Sequence, residues 1–193
     1  DHPRYYFLQS AALKKLVAIV GEKAFDDVLA AAASPDQRLT ETVRQLGATM
    51  PDQWVGQLAS TRGAKLVGVL GVLGRIGNPK TLGAVKKQLK NEDEIVPAAA
   101  VEAVGAIGRV KAIPVLADLL AGAPSQRERN SAATAILAVC QAAKKRDIAV
   151  RPVIAALNAT TEESASCAII ALLGRIGGAV ALDAVAGTTT NDS

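Results

Sequence analysis

Between residues 64 and 122 the apolar positions fall into four segments of helical period, arranged as two pairs. Leu73-Gly74-Arg75-Ile76-Gly77 returns 31 residues later as Val104-Gly105-Ala106-Ile107-Gly108. Each copy is followed by a second periodic segment, 82–89 and 113–120. The register continues: Leu137 in Ala135-Ile136-Leu137-Ala138-Val139 lies 33 residues after Val104, and Leu173-Gly174-Arg175-Ile176-Gly177 begins 36 after that. A looser copy stands upstream at Leu46-Gly47. A two-helix unit of this size can bury its apolar face only against its neighbours. The pattern therefore predicts an all-α fold, an α-α superhelix or right-handed α-solenoid of about six antiparallel helix pairs.

Punctuation places the remaining helices. His2-Pro3 opens the first, with Leu8, Ala12, Leu16 and Ile19 as its apolar face and Gly21 as its stop, and a second covers 22–33. Ser34-Pro35-Asp36 leads into 36–46, and Met50-Pro51-Asp52 starts a partner carrying Trp54, Val55 and Leu58. The following pairs are 64–76 with 79–90, 95–107 with 111–121, and 126–143 with 148–158, before a last strong copy at 165–176. The whole of 1–193 reads as one domain, divergent over 1–62 and recognisably repetitive over 63–193. A shift of 100 aligns Gly77 with Gly177, Leu82 with Leu182, Val85 with Val185 and Asn91 with Asn191. Asn191-Asp192-Ser193 then stands where Asn91-Glu92-Asp93 leads into a further helix, and the expectation is a segment of a longer protein divided at a repeat boundary.

Composition supports the helical reading. Half of the 193 residues are hydrophobic, enough for a core of ordinary size, and only five are Phe, Tyr or Trp, which suits close helix contact better than a sandwich of aromatic strands. The formal charge of +4 permits nucleic acid or an acidic partner without requiring one. Charged residues interrupt every apolar run before the roughly 18 residues of a membrane span, so no membrane insertion is expected. Cys140 and Cys167 are expected to be buried and unlinked, since stacked helices would hold them about nine residues apart axially, beyond disulfide reach.

Several stretches could carry chemistry, and each has a structural reading. Gly68, Gly71, Gly74 and Gly77 follow no strand and match no phosphate-loop spacing, so they read as a side-chain-free ridge for a close neighbour, ended by Gly77. Asn91-Glu92-Asp93-Glu94 precedes a helix, where negative charge is stabilised, and reads as capping; Glu162-Glu163 reads the same way. Lys144-Lys145-Arg146 is a solvated turn or, with Arg151, an anion contact. Tyr5, Tyr6, Phe7 and Phe25 form a cover for the open end of the stack or a docking surface, and Trp54 is half-buried packing or a stacking platform.

The run Leu73-Gly74-Arg75-Ile76-Gly77-Asn78-Pro79, with Leu82, Leu89, Asn91-Glu92-Asp93-Glu94 and Ala98-Ala99-Ala100-Val101-Glu102-Ala103-Val104-Gly105, resembles the HEAT-like repeat named after phycobilisome lyases. The resemblance is strong over 63–122 and 164–193, weaker over 123–163, and architectural over 1–62. The family's Arg before the Ala-rich run is here Leu66, Pro97, Asn130 and Ser166, and its Asp after the second Gly is Asn78, Arg109 and Gly178. Without that Asp/Arg ladder, stacking is expected to rest mainly on apolar contact. The resemblance implies a curved stack whose second helices line a concave surface that holds another protein, in larger bacterial proteins that are cytoplasmic or exported.

The functional expectation is a non-catalytic protein-interaction scaffold. The single histidine, His2, stands at a terminus, no Cys/His cluster has metal spacing, and no Ser or Cys has a plausible base. No catalytic residue, cofactor or metal site is therefore assigned. The partner is another protein or a flanking domain, contacted through Lys80, Lys87, Lys111, Asp118 and Arg151, and the chain is expected to be monomeric. Alternatives are nucleic-acid binding in the manner of HEAT-like DNA glycosylases, for which Trp54 with Asp52 is a loose candidate, a bilin lyase, and a spacer attached to an enzyme domain.

Overall fold

Proline starts several helices in this chain and glycine ends two of them, although Pro152 lies inside the helix Arg146–Ala159. Pro51, Pro97 and Pro114 occupy first-turn positions, where the missing N–H costs nothing, and Gly77 and Gly177 end their helices at φ 67°. Side chains supply further caps: Ser125 Oγ accepts from the Glu128 N–H at 3.3 Å, and Asp36 Oδ1 from the Leu39 N–H at 3.2 Å.

In the computed structural model these signals delimit α1 (Pro3–Val20), α2 (Phe25–Ala32), α3 (Gln37–Gly47), α4 (Pro51–Ser60), α5 (Gly63–Ile76) and α6 (Leu82–Lys87). They are followed by α7 (Val96–Gly108), α8 (Ile113–Gly122), α9 (Gln126–Ala142), α10 (Arg146–Ala159), α11 (Glu163–Ile176) and α12 (Ala179–Thr189). Short 3-10 turns cover Gly21–Ala24, Pro79–Thr81, Gln88–Lys90 and Arg109–Ala112, and the described residues contain no strand. The structure describes residues 3–32, 36–123 and 125–189, apart from the side chains of 3–6, 38, 188 and 189. His2, the Ser34-Pro35 turn, the rings of Tyr5 and Tyr6, and Asn191-Asp192-Ser193 lie outside the described residues.

The six pairs stack in chain order. The first helices α1, α3, α5, α7, α9 and α11 pack each on the next; in the second row α6 meets α4, α10 meets α8, and α12 meets α10. One hydrophobic cluster runs unbroken from Leu13 to Ala181. The accessible surface is 11048 Å², against roughly 8,600 Å² for a compact protein of this mass, as an open stack requires.

The junctions are not uniformly apolar. The Ser10 and Thr42 hydroxyls hydrogen-bond between the first and second pairs, and Gln53 donates to Glu22 across the same junction. Asn78 Nδ2 donates to the Ala48 carbonyl at 2.7 Å, and Arg75 reaches the Ala32 carbonyl at 3.3 Å. Arg129, whose side chain is 13% exposed, pairs with Glu162 at 3.4 Å between the last two pairs. Stacking therefore rests on apolar contact alone only at the two central junctions, α5/α7 and α7/α9, where no side-chain hydrogen bond crosses among the described residues. At the outer junctions these polar contacts add to the apolar stacking.

Several expectations are revised. Glu162 stands at the N-cap of α11, yet its carboxylate is turned to Arg129 and Ser164 rather than to backbone N–H groups. Before α7, Asp93 Oδ1 accepts from the Ile95 N–H at 3.2 Å, so one residue of the acidic run organises the turn. α1 buries Leu13, while Leu8, Ala12 and Ile19 of the expected apolar face are exposed. Phe7 is 65% exposed and covers nothing, whereas Phe25 is buried with its ring edge-to-face on Trp54, centroids 4.9 Å apart. Trp54 is not half-buried but wholly inaccessible, its indole N–H donating to the Gly47 carbonyl at 3.2 Å, so it offers no stacking platform.

The glycine ridge of α5 packs at one point. A Cβ on Gly74 would lie 3.4 Å from Ala103 Cα, whereas Gly68 and Gly71 face open space. Gly47, by contrast, is closed in: a Cβ there would lie 2.6 Å from Ile76 Cδ1 and 3.1 Å from Trp54 Nε1. Gly68→Ala and Gly71→Ala are accordingly expected to raise unfolding stability by about 0.5–1 kcal/mol each, by removing helix-interior flexibility. Gly47→Ala is expected to lower it by about 1–3 kcal/mol. Urea unfolding midpoints of the three variants check this ordering.

Candidate functional site

The five residues expected to bind a partner are all exposed, but the fold does not gather them into one patch. Lys80 and Lys111 lie in the turns leading from a first helix to its second, and Lys87 ends α6 at the opposite edge of the stack. Asp118 and Arg151 form the coherent part. Each is the sixth residue of its helix, α8 and α10 pack together, and neither is engaged in an ion pair among the described residues.

Lys87 belongs to a separate polar cleft of about 520 Å³ at the foot of α4 and α6. Leu58 and Ala59 floor it, Arg62, Lys87 and Lys90 supply positive charge, and Glu92 and Asp93 stand among them. The Arg62 guanidinium is already committed to the Ala59 and Thr61 carbonyls at 2.8 Å each. With both signs of charge present, the cleft has no uniform field for a polyanion.

A larger concavity, about 710 Å³, lies between α7 and α9. Its floor is made of small side chains, among them Ala106, Val110, Ala135, Ala138 and Ala142, with Glu102 toward one end and Arg109 and Lys144 at the other. Helix α7 closes on Arg109 at φ 49° and ψ −134°, whereas α5 and α11 close on glycine at φ 67°. A non-glycine residue held there costs on the order of 1–3 kcal/mol of backbone strain. Periodicity alone gives these alanines no separate role. The signal available in the sequence was small residues at four-residue spacing on the outward strip of α9, Thr134, Ala138 and Ala142, together with Lys144 of the basic run. Within that run, Arg146 begins α10 rather than lying in the turn.

The ionisable groups are arranged for structure. Hydrogen bonds from Arg44 at 2.7 and 2.6 Å, and from Gln45 at 2.8 Å, hold the exposed Glu41 carboxyl down to about 2, within one helix. Among the described residues no three His, Cys, Asp or Glu side chains gather as a metal site would need, and no helix is long and apolar enough to cross a membrane. Asp52 and Trp54 are not joined in a site, since Trp54 is sealed in the core.

The cysteines separate. Cys140 is fully buried, and that burial pushes its thiol up to about 11 against the opposing influence of Arg146. Cys167 is exposed, contrary to expectation, because it occupies the outward strip of α11, whose inward positions are Ile169, Leu172 and Leu173. Both are free.

Residues 52–137 match the family model described as HEAT repeats, a stretch from α4 into α9. With the helix pairs stacked in chain order, the match makes the fold an all-α HEAT-like solenoid. The matched stretch begins inside the part read from sequence as divergent and ends before the strong copy at 164–193. A comparison with curated proteins finds no match to the chain.

A thiol reagent at neutral pH is expected to label one cysteine, Cys167, and to reach Cys140 only on unfolding. The raised Cys140 value favours the neutral folded form. Its contribution to stability is complete below about pH 9 and is lost as the pH climbs to about 11. Mass spectrometry of the labelled native chain checks the assignment; two labels without unfolding would contradict it.

Proposed function

We propose that the chain is a non-catalytic protein-interaction scaffold whose second helices carry the contact surface. HEAT repeats commonly serve in this way, and the matched repeats contain α8 and adjoin α10. What supports the proposal is that Asp118 and Arg151 are exposed at the sixth position of two second helices that pack together, with no ion pair to either among the described residues. Charges left open on a rigid row can read a complementary pair on a partner, giving register and association rate more than raw affinity. Lys80, Lys111 and Lys87 are peripheral contacts in this reading, at the two edges of the row. The resemblance to the phycobilisome-lyase subtype, carried by residues 73–79, is consistent with a scaffold and supplies no bilin site.

The test is a double charge reversal, Asp118→Arg with Arg151→Glu, assayed against the partner recovered by co-purification. Binding is expected to weaken about tenfold or more, with circular dichroism unchanged because both positions are exposed. Unchanged binding would overturn the assignment of this face. Tight, steeply salt-dependent binding to duplex DNA, lost in the same variant, would transfer the surface to nucleic acid instead.

A further inference from the structure

Two close approaches hold the middle of the first-helix row together. Gly74 brings α5 within van der Waals reach of the α7 backbone at Ala103, and a Cβ on Gly105 would lie 3.4 Å from Ala135 Cβ on α9. Outward of this second seam the side chains are too small to fill the space between the helices, so the groove of about 710 Å³ is left open. Ala106 and Ala138, facing it from either side, are both exposed. This size is in the range of a ligand or anchor-residue pocket, and its floor is apolar.

The ends of the groove are charged with opposite signs. Glu102 stands seven residues before Arg109 on α7, about 10 Å along the axis at 1.5 Å per residue. Lys144, beyond the end of α9, joins Arg109 at the positive end. That end is built at a cost, since Arg109 holds a left-handed backbone conformation where the equivalent helix ends use glycine. An occupant must therefore be apolar in the middle and bear a negative group at one end and a positive group about two turns away. An alkyl carboxylate satisfies Arg109 and Lys144 but lays its tail against Glu102, whose charge it cannot meet. An amphipathic helix satisfies all three. Its own dipole prefers acid at its N-terminus and base toward its C-terminus, which fixes its direction.

We propose that the α7/α9 groove docks an amphipathic helix of a partner protein. The helix runs antiparallel to α7 and α9, with an acidic residue in its first turn over Arg109 and Lys144. A basic residue two turns later lies over Glu102, and aliphatic side chains between them sit on the alanine floor. This surface is on the first-helix row and is independent of the one proposed above, whose residues Asp118 and Arg151 it does not use.

The probe is a lactam-bridged helical peptide of about four turns with Glu at i, Leu at i+3 and i+4, and Lys at i+7, followed by fluorescence anisotropy against the full chain. Saturable binding is expected, and a peptide with Glu and Lys exchanged is expected to bind about tenfold more weakly. Ala138→Trp, which fills the groove from an exposed position, is expected to abolish binding, and Lys144→Glu to weaken it while improving the exchanged peptide. Arg109→Gly should weaken binding yet raise the unfolding midpoint, an opposite pair of changes that a purely structural Arg109 would not give. Equal binding of both peptides, binding untouched by Ala138→Trp, or no binding of the helical peptide at millimolar concentration would overturn the proposal. Displacement of the peptide by dodecanoate at comparable affinity would overturn it in favour of a small amphiphile. The Asp118→Arg/Arg151→Glu variant should bind this peptide normally, so failure of one surface is distinguishable from failure of the other.

Discussion

Each two-helix unit of this chain exposes more apolar surface than it can cover by itself, and the face-to-face contact of successive first helices is where that surface is removed from water. The rest of the structure follows from this constraint. The core is a strip from Leu13 to Ala181 rather than a ball, and the surface is larger than a globule of the same mass would show. At the centre Gly74 and Gly105 let α5, α7 and α9 approach, and among the described residues no side-chain hydrogen bond crosses there. Toward either end polar side chains join in. Asn78 and Arg75 reach back to carbonyls of earlier units, and Arg129 reaches forward to Glu162.

Much of this was legible in the residues. A period near 30 fixes the unit, the Pro and Gly punctuation fixes where helices begin and end, and Gly77 was identifiable as a stop because only a left-handed residue suits that end. What escaped the sequence depends on contacts between positions far apart in the chain. Trp54 is sealed by Phe25 and by the carbonyl of Gly47, and neither partner is signalled by the local pattern around it. Asn78 stands where an acidic ladder residue was expected, and its acceptor is a backbone carbonyl, which carries no mark in the sequence. Periodicity records which residues of α1 are apolar, not which are covered; Leu8 and Ile19 are exposed. Gly68 and Gly71 look like Gly74 in sequence and differ from it only in what stands opposite.

The proposed surfaces were less legible for a related reason. Charge on the second helices could be read residue by residue, but which charges share a row required the packing of α8 on α10, and this separated Asp118 and Arg151 from the three lysines. The groove between α7 and α9 is formed by the absence of side chains and bounded by Arg109, whose backbone conformation no residue type announces. A repeat fold offers two faces, and this chain differentiates both: the second-helix row by open charges, the first-helix row by an apolar slot with opposite charges at its ends.

Small-angle X-ray scattering of the chain in solution tests the central claim most directly. A compact 193-residue domain has a radius of gyration of about 16 Å. An open stack held together by nearest-neighbour contacts predicts a value clearly above that, with a pair-distance distribution skewed to long distances. A value at about 16 Å with a symmetric distribution would mean that the helices wrap round one centre, and would contradict the account.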